Sequence, residues 1–127
     1  MDYMEYLVSA KDSLSVVDAN DIFNEMSKEV QMLDDVAKEL FDEFISAAIA
    51  YANVRSNWLL LTKEEKMDSD KSRTLKHDSV ILKADVLSRY LVKLGKEAKW
   101  RKDLGDSRKR IGDFACYVAF IYGLNAR

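Results

Sequence analysis

Residues 21–52 read DIFNEMSKEVQMLDDVAKELFDEFISAAIAYA. Ile22, Met26, Val30, Leu33, Ala37, Leu40, Phe41, Phe44, Ile45, Ala48 and Ala52 follow one another in steps that are mostly three or four residues. That spacing gathers apolar side chains on one face of a helix, whereas a strand would need strict alternation. Asp and Glu dominate the opposite face. The pattern runs from Asp21 to Leu61, and about 40 residues is long for one globular helix. A single bent helix and two helices parted near Gln31–Asp35 both satisfy the spacing, since no Gly or Pro marks a break.

Working outward, Tyr3, Tyr6, Leu7 and Ala10 predict a helix over Tyr3–Asp12. Ser13–Asn20 reads as a connection, with Asp18 or Asn20 capping the helix that follows. Beyond Leu61, Thr62-Lys-Glu-Glu65 is a capping box: each of the two polar side chains satisfies the other residue's backbone N–H. Residues 66–74 are polar and read as a flexible connection. Val80, Ile81, Ala84, Leu87, Leu91 and Leu94 define a helix over Leu75–Leu94, stopped by Gly95 in a left-handed conformation. A short helix over Lys96–Leu104 ends in the same way at Gly105. Asp106 would then cap Ser107–Tyr122, with Gly123 as the stop. This last segment is apolar almost all round, as expected of a central helix or an interface. The fold class is all-α, a compact bundle of five or six helices, with residues 1–127 as a single domain.

The composition agrees. The chain has 127 residues, of which 48% are hydrophobic and 33% charged, with no Pro, four Gly and a net charge of −2. Such a chain has enough apolar residues to fill a core, so it is not of the disordered class. One Cys excludes an intramolecular disulfide and multi-cysteine metal sites, and one His excludes the paired Glu-x-x-His motifs of di-iron bundles. There is no Gly-rich phosphate loop, and the expectation is no metal and no cofactor. The apolar runs Phe44–Ala52 and Phe114–Leu124 are far short of the about 20 residues of a membrane span. The acidic start lacks a secretory signal, so a cytoplasmic protein that does not enter membranes is expected.

Charge is divided unevenly. Residues 1–63 carry 5 basic and 12 acidic side chains, and residues 64–127 carry 15 and 10, giving −7 and +5. Either the two halves complement each other structurally, or the basic half faces a polyanion. The densest basic segment is 93–110, where Lys93, Lys96, Lys99, Arg101, Lys102, Arg108, Lys109 and Arg110 surround Trp100. Cations that neutralise phosphate beside an aromatic that stacks on bases are the elements of single-strand binding. Lys96, Lys99, Trp100, Arg101, Lys102, Arg108, Lys109 and Arg110 are therefore the candidate nucleic-acid contacts. The structural alternative buries Trp100 and lets the basic side chains reach outward.

Arg73-Thr-Leu-Lys-His77 holds the chain's only His. The segment resembles the motif of HEPN-type helical ribonucleases, which place an Arg and a His a few residues apart on one helix, often in a dimer cleft. The family usually has four to six intervening residues, and here there are three. The resemblance implies that Arg73 would hold phosphate and His77 would move a proton, with Asp78 able to orient His77. Glu39-x-x-Asp42 and Asp18-x-x-Asp21 resemble the Mg²⁺-binding carboxylate pairs of MazG-type pyrophosphatases, although Asp18 and Asp21 read better as caps. Cys116 lies in the most apolar segment and reads as a buried, inert thiol.

Two segments carry more apolar surface than one small bundle readily hides. Trp58, Leu59 and Leu61 in the first, and Tyr117, Phe120 and Tyr122 in the second, are candidate interface residues for a homodimer. The leading functional reading is a small, non-enzymatic, self-associating interaction or regulatory protein with a protein partner. The alternative is a nucleic-acid-directed protein, either a binder through 93–110 or a ribonuclease using Arg73 and His77.

Overall fold

The structure is a computed structural model that describes residues 14–31, 33–58 and 60–125. The described residues form five helices: α1 Val16–Gln31, α2 Asp35–Trp58, α3 Lys63–Lys93, α4 Lys99–Leu104 and α5 Arg108–Asn125. The described residues form no strand. The expected helix over Tyr3–Asp12 lies outside the described residues.

Four of the five helix starts carry a local side-chain cap. Ser15 Oγ accepts the N–H of Asp18 at 3.0 Å. Helix α1 therefore begins at Val16, and the expected connection over Ser13–Asn20 is corrected. Ser15 caps it instead of Asp18 or Asn20. Asp34 accepts the N–H of Ala37 at 2.9 Å, and this cap splits the long apolar run into α1 and α2. At Thr62 both halves of the expected capping box are made. Ser107 Oγ, and not Asp106, accepts the N–H of Arg110 at 3.3 Å.

The expected loop over 66–74 is helix. With the capping box as its start and no Gly or Pro to interrupt it, the segment continues as α3, and its polar residues face mainly outward. Arg73 ties it back to α2 by lying over the Trp58 ring at 4.1 Å. Gly95 (φ 92°) ends α3 as expected. The N–H of Lys96 reaches the Leu91 carbonyl at 2.9 Å and that of Gly95 reaches Val92 at 3.0 Å, the paired bonds of a Schellman stop. The short helix starts at Lys99, after Ala98 in the left-handed region (φ 49°). Gly123 does not stop the final helix, which runs to Asn125.

Helix α5 is the central element, with every residue from Ile111 to Val118 buried. Its Phe114 meets Phe44 of α2 at 6.1 Å between ring centroids. Helices α2, α3 and α5 pack on one another, while α1 lies against α4, α2 and α5. That arrangement sets acidic α1 beside basic α4. Glu29 accepts from Trp100 Nε1 at 2.7 Å and from the Ala98 N–H at 3.0 Å. Glu29 thus fastens acidic α1 to α4 through two neutral N–H donors. No described helix is long and apolar enough to cross a membrane.

Candidate functional site

The basic segment 93–110 does not form one surface. Trp100 is fully buried, so the expected stacking role is corrected: the indole is a core anchor held by Glu29. Arg101 bonds Asp85 at 2.7 Å, Asp106 at 3.1 Å and the Gly105 carbonyl at 2.8 Å. Arg110 donates to the carbonyls of Leu104 and Asp103. These two arginines clamp the turn between α4 and α5. Lys99 and Lys102 are exposed and Lys96 half-buried, and Lys99 lines a separate cavity of about 540 Å³ with Asp18, Asp21 and Glu25.

The end of the segment goes elsewhere. Arg108 and Lys109, on the first turn of α5, line a cavity of about 260 Å³ together with Arg73, Thr74 and His77 of α3 and Tyr51 and Arg55 of α2. The two sequence candidates, Arg73/His77 and Arg108/Lys109, therefore share one site. The bond between His77 Nε2 and the Arg108 carbonyl, at 2.7 Å, joins them.

Each arginine is held in place. Arg55 bonds the buried carboxylate of Asp113 at 3.0 Å. Arg73 bonds Asp70 at 3.2 Å and Arg108 bonds Asp78 at 3.0 Å. The last two pairs are solvent-exposed, and such pairs contribute about 0–1 kcal/mol. A phosphate can therefore compete for these guanidinium groups at little cost. Tyr51 sets its ring edge-on to His77 at 5.0 Å. Gly112 of α5 leaves room for two of these side chains. A Cβ at that position would collide with the Arg55 guanidinium and lie 3.0 Å from Tyr51 Oη.

His77 is 4% exposed. A carbonyl oxygen can only accept, so Nε2 carries the hydrogen and neutral His77 keeps its lone pair on Nδ1. Nδ1 is enclosed and makes no hydrogen bond. Burial pushes the His77 pKa down from its ordinary value. The Arg108 carbonyl pulls it up, while the Arg108 and Arg55 charges add to the depression. Burial likewise raises the Tyr51 pKa, so the two ring groups are neutral in a site surrounded by fixed cations.

The sequence offers Tyr51 only as apolar surface and Thr74 only as a neighbour in the Arg73–His77 segment, and gives Arg55 no role. Arg55 had a signal, being the only Arg among residues 1–63. Trp58 is half-buried beneath Arg73, so the aromatic next to a basic group sits here and not at Trp100.

The other candidates disperse. Tyr117 is buried, with its hydroxyl on Asn20 at 2.8 Å, and Tyr122 packs on Phe23. These two are committed within the chain and do not offer a free interface. Phe120 and Leu61 are half-buried, and the side chain of Leu59 lies outside the described residues. Cys116 is buried as expected. Among the described residues no three His, Cys, Asp or Glu side chains gather as metal ligands, so the MazG-like set of Asp18, Asp21, Glu39 and Asp42 is not assembled. Comparison with family models, curated proteins and solved structures finds no match.

Proposed function

We propose that the chain is a non-enzymatic interaction protein that binds nucleic acid, taking a backbone phosphate into the Arg55/Arg73/Arg108/Lys109 pocket. One observation carries this reading: two basic elements that lie more than thirty residues apart in sequence converge on a single cavity through the His77–Arg108 bond. Four cations line it, and guanidinium groups are suited to planar, two-point contact with phosphate. The Trp58–Arg73 stack at its edge supplies a flat surface for a base.

The binding reading is favoured over the ribonuclease. A general base needs a nitrogen within reach of the substrate proton. In His77 one ring nitrogen is engaged by a carbonyl and the other is enclosed. Fluorescence anisotropy with labelled single-stranded RNA and DNA oligonucleotides tests the proposal. At low salt, binding is expected, with affinity falling as salt rises. Arg73→Ala with Arg108→Ala should weaken it by more than tenfold, and the RNA should remain intact. No binding at low salt, or affinity indifferent to these changes, would overturn it. Cleavage that is lost in His77→Asn would instead restore the ribonuclease.

A further inference from the structure

The outer face of α3 carries a pattern that the bundle does not use. Leu75 and Leu82 are 59% and 54% exposed. Asp68, Leu75, Leu82 and Arg89 repeat every seven residues, and Ser72, Ser79, Val86 and Lys93 follow each of them by four. Those are the two interleaved positions of a coiled-coil seam. The seam lies opposite the buried face formed by His77, Val80, Ala84, Leu87 and Leu91.

We infer that this face pairs with α3 of a second copy, antiparallel, about a two-fold axis between Val80 and Ile81. In that register the seam positions of one copy meet the complementary positions of the other. Leu75 meets Val86 of the second copy, and Leu82 sits over the small Ser79. Asp68 faces Lys93, and each pairing occurs twice, as a two-fold interface requires. An acid near the start of a helix and a base near its end would also suit the macrodipole. The dipole does not account for two exposed leucines seven residues apart between them. The occupant is a second copy because the face is self-complementary: acidic at one end, apolar in the middle and basic at the other. The pocket residues Arg73 and His77 lie on other sides of α3, so this surface is independent of the nucleic-acid reading.

Light scattering coupled to size-exclusion chromatography, run over a range of protein concentrations without nucleic acid, tests the inference. The mass should rise with concentration from the chain mass of 14.6 kDa toward twice that value. Leu75→Lys with Leu82→Lys should hold the protein at the monomer mass with an unchanged far-UV CD spectrum, since both side chains are exposed. Asp68→Lys alone should weaken the dimer roughly tenfold, and adding Lys93→Asp should restore it. A wild-type protein that stays monomeric at every concentration would overturn the inference. So would a dimer that survives the paired Leu→Lys change, or one in which the reciprocal charge swap rescues nothing.

Discussion

Two places in the molecule join a buried ring to the polar groups of a distant segment, and they are finished differently. At the α1–α4 seam, both Glu29 oxygens are used, one on Trp100 Nε1 and one on the Ala98 N–H. At the α2–α3–α5 junction, His77 has one nitrogen satisfied by the Arg108 carbonyl and the other left with nothing. Cations surround it whose carboxylate partners, at Arg73 and Arg108, stand in solvent. A closed network rigidifies a fold, whereas a partly satisfied one is a cost that stability alone does not explain. The first region is a fastening, and the second is where we propose that a ligand binds.

The largest effect should come from the fastening. Trp100→Ala should cost about 3–5 kcal/mol in urea unfolding, and the fraction that remains folded should bind oligonucleotide normally. A loss of binding that exceeds the loss of folded protein would mean that the two regions are not separate. Gly112→Ala comes next. The added methyl must displace Arg55, at a cost of about 2 kcal/mol, and oligonucleotide affinity should fall with it. Unchanged affinity would remove Arg55 from the site.

Arg101→Ala should cost about 1–2 kcal/mol, because its guanidinium is largely shielded and clamps the Gly105 turn. Arg108→Ala should change stability by less than about 0.5 kcal/mol and yet weaken binding. These two arginines, seven residues apart, would then divide stability from function, and equal effects on both readouts would collapse the comparison.

The pH dependence sharpens it further. The folded-state pKa of His77 is below its ordinary 6.5, so the unfolded chain binds the extra proton first. The stability contributed by neutral His77 is complete above pH 6.5, the ordinary value, and is lost as pH falls below it. Unfolding midpoints measured across that range should decline in the wild type and flatten in His77→Asn. The same decline in both would place the titrating group elsewhere.

The helical class and most of the core were legible because apolar spacing is a direct readout of which faces are buried. Ile22, Met26, Val30, Phe44 and Ala48 are all buried as the spacing requires. The capping box at Thr62 and the stop at Gly95 were legible because each is a local contact within a few residues. Residues 66–74 look like a loop in sequence because an exposed helix and a polar loop have similar compositions, and only the cap and the absence of Gly and Pro separate them. Trp100 was ambiguous for a different reason. Its burial depends on Glu29, a partner in another part of the chain, and no local pattern reports that pairing. The site was legible in pieces, Arg73/His77 and Arg108/Lys109, but their meeting depends on how α3 and α5 pack. Tyr51 and Arg55 join the site only through the packing of α2 against α3 and α5, which no local spacing reports.

The Glu29 fastening has a kinetic consequence. Its bond to Trp100 spans 71 residues of sequence, so the chain must close a long loop before the contact returns any energy. The capped turns at Thr62 and Asp34, which bridge only three residues each, carry no such delay. Contacts of large sequence separation form late when local structure can form without them. Glu29→Ala should therefore speed unfolding and leave the refolding rate nearly unchanged, with a φ-value near zero. A φ-value near zero would make the docking of α4 on acidic α1 a late step of assembly.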